Sequence, residues 1–197
     1  MRAAEPAVPP SKEAALTTGL AKGVEVTAVR FTITSTTPTG GGGLWLETDV
    51  EVNVKPGVAK DDRYLNRVQV TLTLGVESTV GGKRTDYYRA TAEAVALEEG
   101  RSDFRFYLPP EIVKRDSLPA EARYYAVQIT AEGNQLPVGK NFHSGSIPKP
   151  ETFFASKEVT AAAANDGVLL PQFLTPFAND DSRPAPTFIR PEAAAKN

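Results

Sequence analysis

The sequence predicts an all-β fold, an antiparallel two-sheet sandwich of about seven strands, and three observations carry that prediction. In the stretch Leu44 to Val54, residues Leu44, Leu46, Val50, Val52 and Val54 share one parity, while Glu47, Asp49, Glu51 and Asn53 share the other. A period of two describes a strand with one apolar face and one wet face. The pattern returns downstream, where Val68, Val70, Leu72, Leu74 and Val76 alternate with Arg67, Gln69, Thr71 and Thr73. Proline supplies the third observation: only Pro38 and Pro56 fall between Gly23 and Leu108, whereas Pro137, Pro148, Pro150, Pro171, Pro176, Pro184, Pro186 and Pro191 crowd the last third. Long ladders belong before Gly133 and not after it.

A chain of 197 residues with 41% hydrophobic and 23% charged side chains is long enough for one core of roughly 100 to 150 residues plus appendages. Its 22 basic and 24 acidic residues are interspersed and leave a formal charge of −2, so no broad field favours phosphate backbones or anionic membranes. Nucleic acid is not an expected partner. The absence of cysteine excludes disulfides, thiolate metal sites and a cysteine nucleophile. No apolar run approaches the roughly 18 residues of a membrane span, so no transmembrane segment is expected. Met1-Arg2-Ala3-Ala4-Glu5 is too short and polar for a signal peptide, and an export signal removed ahead of Met1 is the expectation for a secreted protein.

Three regions follow in order: a leader over 1–22, the sandwich over 23–145, and a Pro-rich C-terminal extension over 146–197. Pro6, Pro9 and Pro10 keep the start of the leader out of regular pairing, and Ser11 is placed to cap a short helix that stops at Gly23. The first strand is expected over Gly23 to Ser35. There Val24 and Val26 take one parity and Val29, Phe31 and Ile33 the other, which requires a bulge near Thr27-Ala28. Gly40 to Gly43 form a flexible connection, not a phosphate loop, because no Gly-Lys-Ser/Thr follows and a strand does. Lys55-Pro56-Gly57 makes a turn. Tyr87 to Leu97 is open to a helical reading through Ala90, Ala92, Ala94 and Ala96, but Tyr87, Tyr88, Val95 and Leu97 favour a strand. Phe104, Phe106 and Leu108 form the inward row of a fifth strand, and Pro109-Pro110 opens a helical turn through Lys114. A short strand is expected around Val138 to Phe142, and a helix over Ser156 to Ala164 that ends at Asn165-Asp166-Gly167. The apolar strip Val168, Leu169, Leu170, Phe173 and Leu174 has no place in a seven-strand sandwich. It either packs on its own sheet edge or pairs with another copy of the chain.

Tyr125-x-Val127-x-Ile129-x-Ala131 resembles the penultimate strand of immunoglobulin-like and fibronectin type III sandwiches. In those folds a tyrosine near the strand start pins the corner between the sheets. Period two assigns that corner to Tyr125, although Tyr124 is also available, and the chain departs from the pattern in lacking a cysteine pair and in placing Trp45 out of phase with Leu44 and Leu46. The resemblance covers about residues 24 to 142. A narrower one joins Leu44 to Val54, Phe104 to Pro110 and Arg123 to Ala131, set between a proline-rich leader and an apolar tail. This arrangement is similar to the immunoglobulin-like proteins encoded in type IV pilus gene clusters of Akkermansia and its verrucomicrobial relatives.

His143 is the only histidine, and its neighbours Ser144 and Ser146 lie in no Gly-x-Ser-x-Gly elbow, so a triad has weak support. Asp49 and Glu51 share a strand face as glycosidase acids can, yet alternation alone puts any two outward acids there. Asp61-Asp62 and Asn179-Asp180-Asp181 carry oxygen ligands without calcium-loop spacing. No cofactor or metal is therefore expected, and the chain reads as a non-enzymatic structural or interaction protein with protein partners. The resemblance implies an extracytoplasmic location, periplasmic, outer-membrane associated or extracellular, with type IV pilus or surface assembly components as partners. A glycan-binding module using Tyr87, Tyr88 or Trp45 as a stacking platform is the alternative.

Overall fold

The computed structural model describes residues 23–37, 42–55, 63–78, 84–147, 150–153, 155–156, 159–160, 162–180 and 182–190. Its strands are β1 (Gly23–Ser35), β2 (Leu44–Lys55), β3 (Tyr64–Ser78), β4 (Arg84–Glu98), β5 (Gly100–Leu108), β6 (Tyr124–Ala131), β7 (Asn134–Gln135) and β8 (Leu170–Pro171). The described residues also include two short helices, α1 (Pro110–Arg115) and α2 (Pro150–Phe153), helical residues at Val159 and Thr160, and 3-10 turns at Ala162–Asn165 and Gln172–Leu174. The strands form two antiparallel sheets, ordered β1-β2-β5-β8 and β4-β3-β6-β7. The all-β two-sheet sandwich read from the alternation is the observed architecture.

Alternation explains the core directly. Leu46, Val50 and Val52 of β2 meet Phe104, Phe106 and Leu108 of β5 on the inner side of the first sheet, all without solvent exposure. Val68, Val70, Leu72 and Leu74 of β3 answer them from the second sheet, with Val127 and Ile129 of β6. Tyr87 to Leu97 lies within β4, where Ala90, Ala92 and Ala94 turn inward; small residues let the sheets close on the phenylalanines of β5. Gly75 of β3 serves a similar need, since a Cβ there would stand 2.8 Å from the Tyr87 ring and 3.0 Å from Tyr124. The phase change in β1 is a bulge, with the register shifting between Val26 and Ala28. Asn141, at φ 66°, donates from Nδ2 to the carbonyls of Val26 and Thr27 at 3.3 and 3.0 Å and holds that bulge.

Several expectations need correction. Leu44 begins β2 at 52% exposure, because it extends past the facing sheet. No strand forms over Val138 to Phe142. The pairing partner of β6 is instead the two-residue β7, since the chain turns at Gly133 (φ 81°) and soon meets Pro137, which has no N–H to donate. The chain then returns beside β6: the Val127 N–H donates to Phe142 O at 2.6 Å and the Ser144 N–H to Tyr125 O at 2.9 Å. Of the helix expected over 156–164, the described residues Val159 and Thr160 are helical, with the Thr160 N–H donating to Ser156 O at 2.9 Å and the Val159 N–H to Ser156 Oγ at 3.3 Å, and a 3-10 turn at Ala162–Asn165 follows, with Gly167 at φ 84° after it. The leader helix and the turn at Pro56-Gly57 lie outside the described residues.

The largest departure concerns the wet face of β2. Glu47 is 3% and Glu51 8% exposed, so the polar row is covered. Glu51 is covered by Thr27, Arg30 and Arg101 of its own sheet, and the cover over Glu47 is the C-terminal extension, which adds β8 to β5 and then lays a second strip on the other sheet. There the Val95 N–H donates to Thr187 O at 2.9 Å, the Ile189 N–H donates to Glu93 O at 2.7 Å, and Ala94 bridges Phe188. One segment thus pairs with part of the β5 edge and part of the β4 edge.

Candidate functional site

The densest gathering of polar side chains is the outer face of the first sheet. Register places Glu47 opposite Tyr107, Asp49 opposite Arg105, Glu51 opposite Asp103 and Asn53 opposite Arg101, with Arg30 of β1 on the other side of Asp49. Trp45 lies at one end of this face. After β8 the chain turns through Gln172–Leu174 and crosses above it, seating Phe177 on the Tyr107 ring, 4.6 Å between centroids and nearly parallel. Trp45 meets both rings edge-on, 6.5 Å from Tyr107 and 5.8 Å from Phe177. This aromatic contact supplies the apolar part of the cover.

Two arginines clasp the extension. Arg183 donates to both oxygens of Glu47 at 2.6 and 2.9 Å, a bidentate pair in which the carboxylate is almost without solvent. The hydrogen bond that Arg183 donates to Glu47 raises the Arg183 pKa above its ordinary value, so the guanidinium stays charged. Arg105, itself 2% exposed, reaches from β5 to Gln172 Oε1 (3.5 Å), Arg183 O (3.5 Å), Pro184 O (3.3 Å) and Asp103 Oδ2 (3.5 Å). Glu51 accepts from the Thr27 hydroxyl at 2.5 Å and from Arg30 at 2.7 Å, and it pairs with Arg101 at 2.7 Å. Those donors, Thr27 foremost, hold its carboxyl below the usual range.

Asp49 behaves oppositely. Burial, then the neighbouring charge of Asp103, pushes its carboxyl up to about 6 against the opposing pull of Arg105, and its Oδ1 is buried with no hydrogen bond. Asp49 can therefore exchange a proton near neutral pH, but it stands between two guanidinium groups under the extension. Burial also raises the Tyr107 phenol, and the Glu47 carboxylate beside it adds to the effect.

The apolar strip divides. Leu169 is 1% exposed and Val168 packs against the core. Leu170 pairs with Tyr107 within β8, and Phe173 contacts Phe188 at 5.3 Å. Leu174 remains 55% exposed, at the rim of a groove of about 390 Å³ that Leu170, Phe173 and Ile189 also line. Tyr125 is half-buried on β6, its ring 6.0 Å from Phe31 of the opposite sheet. Of the aromatics considered for stacking, Tyr88 is 1% and Trp45 9% exposed, while Tyr87 packs on Phe153 at 5.9 Å. A sugar has no access to the first two. His143 donates from Nδ1 to Ser144 O at 3.0 Å, beside β6 and away from the carboxylates of β2. Asp180 binds Ser182 and Arg183, which keep its carboxyl low, whereas Asp61 and Asp62 lie outside the described residues. Among the described residues, no group of three or more His, Cys, Asp or Glu is placed to hold a metal ion.

Sequence reasoning missed Arg105, Arg183, Gln172 and Phe177. The available signal was Trp45 together with Tyr107: two large aromatics on a supposedly wet parity indicate that something covers it.

No protein-family model matches this sequence, and no curated protein matches it. Among solved structures it is similar to a crystal structure from Akkermansia muciniphila, with a TM-score of 0.67 and 14% identity over 86% of this chain and 94% of that one. At that identity the likeness is one of fold.

Proposed function

We propose that this chain is a non-enzymatic, extracytoplasmic interaction protein with an immunoglobulin-like core, a component of a type IV pilus or a comparable surface assembly. One observation carries the reading: the side chains best suited to chemistry hold the molecule together. Glu47 is occupied by Arg183, Glu51 by Thr27, Arg30 and Arg101, and Arg105 by the backbone of the extension. Burying charges in ion pairs for their own sake is poor stabilisation, but it fixes one geometry of cover on sheet. The order β1-β2-β5 facing β4-β3-β6-β7 supports the immunoglobulin-like part, since that is the Greek-key arrangement of such sandwiches. The similar structure comes from Akkermansia muciniphila, the genus whose pilus clusters the sequence resemblance names. Among the described residues, no helix is long and apolar enough to cross a membrane.

Affinity capture with the intact chain from sheared pilus and outer-membrane fractions tests the assignment. Recovery of pilus components above a matrix control supports it, and their absence removes the pilus partner. A hydrolytic activity abolished by Asp49→Asn would overturn the non-enzymatic part.

A further inference from the structure

A two-sheet sandwich has four edges, and on three of them this chain lays a short stretch of its own backbone, pairing with Phe106 and Tyr107 of β5, with residues 93–95 of β4, and with β6. β8 lies on β5, residues 187–189 lie on β4, and β7 with 142–144 lies on β6. The fourth edge is β1. Its first part is held at the bulge by Asn141, but from Ala28 to Ser35 no strand pairs with its outer side among the described residues.

Long bare edges are usually blunted by proline, lysine or inward-pointing charge. Ala28-Val29-Arg30-Phe31-Thr32-Ile33-Thr34-Ser35 has none of these. Its one charge, Arg30, is paired with Glu51 of its own sheet at 2.7 Å. The order of residues is also symmetric about Thr32: half-buried Phe31 and Ile33 flank it on the inward parity, and Arg30 and Thr34 on the outward one. A twofold contact needs a surface complementary to itself, and this stretch meets that condition. Antiparallel pairing about Thr32 sets Phe31 against the partner's Ile33, Arg30 against the partner's Thr34, and Thr32 against the partner's Thr32. Apolar then meets apolar, and no like charges face each other.

From this edge we infer that a second copy of the chain docks antiparallel on β1, so that two four-stranded sheets become one continuous sheet across a twofold axis. The inference goes beyond the proposed function and stands whether or not a pilus is the partner. It also assigns self-association to β1 and not to the apolar strip, most of which is engaged within its own chain.

Sedimentation equilibrium from about 1 to 100 µM, a range that covers ordinary specific dimers, reads the outcome. The native chain is expected to dimerise. Thr32→Lys and Thr32→Glu each place like charges opposite across the axis, and each is expected to weaken the dimer about tenfold, while their equimolar mixture restores it. Thr32 is exposed but stands opposite Glu47 on β2, so Thr32→Lys should keep the native melting temperature and Thr32→Glu should lower it, and association is compared well below both melting temperatures. In the unaltered protein, amide exchange over 28–35 should slow as concentration rises. A monomer throughout this range, a dimer indifferent to both substitutions, or a mixture that fails to restore association would each overturn the inference.

Discussion

β2 and β3 carry the same alternation and end in different surroundings. Each buries its even-numbered aliphatic row in the shared core, yet the polar rows diverge. On β3, Arg67 is exposed and pairs with Glu93, and the Thr71 and Thr91 hydroxyls meet at 2.9 Å in reach of solvent. On β2, Glu47 lies under a second layer of chain, and Glu51 is covered by Thr27, Arg30 and Arg101 of its own sheet. Period two reports which side chains face the opposite sheet. Whether water or more protein lies on the other side is a separate question, because carboxylates tolerate either when a guanidinium is at hand.

That contrast can be broken in order of effect. The inner rows should not distinguish the sheets: Phe104→Ala in the first should cost about 3 to 5 kcal/mol and Leu72→Ala in the second about 2 to 5 kcal/mol in urea unfolding. The outer rows should. Arg183→Ala leaves the Glu47 carboxylate buried without its partner and should cost about 3 kcal/mol, whereas Arg67→Ala should cost about 0.5 kcal/mol or less, as exposed pairs do. Equal costs would mean that the extension does not seal its face.

Titration sharpens the same point with opposite signs. The Asp49 carboxyl is raised to about 6 by burial, so the folded state favours its neutral form. The stability it confers is complete below the ordinary carboxylate range and is lost as pH rises through about 6. Asp49→Asn should flatten the stability profile between the ordinary carboxylate pKa and that value and stabilise the protein at neutral pH by about 1 kcal/mol, short of full conversion because the group keeps some contact with solvent. Asp116, beside Arg115 and Ser78, is held below the usual range by the Arg115 hydrogen bond and by the Ser78 hydroxyl. Its contribution is present above the ordinary carboxylate pKa and fades as pH falls through its own lowered value, so Asp116→Asn should lose stability at neutral pH. Denaturant midpoints followed from about pH 2 to 8 separate the two profiles, and a common sign would contradict the environments described. The smallest effect belongs to Glu25→Gln, which removes an exposed pair with Lys55 and should stay within about 0.5 kcal/mol.

Much of the sandwich was legible because its rules are local. The bounds of β1, the bulge at Thr27, the inward rows of β2, β3 and β5, and the helical turn after Pro109 each follow from parity, turn residues or proline within about fifteen positions. The site was not legible for the same reason. Glu47 and Arg183 stand 136 residues apart, and nothing in either neighbourhood specifies the other. The strip at 168–174 announced that it needed cover, and Trp45 that its face had some, but joining them required the fold.

By itself, then, the sequence determined a cysteine-free pair of antiparallel sheets and the rows that pack between them, since side-chain direction in a strand is fixed by the backbone every second residue. Only the tertiary structure decided that the extension belongs to the sandwich, pairing with part of two of its edges and burying Glu47, while from Ala28 to Ser35 the outer side of β1 meets no strand among the described residues. Those outcomes depend on contacts between distant segments, where burial, ion pairing and backbone hydrogen bonds are settled together and no short window of residues contains the partners.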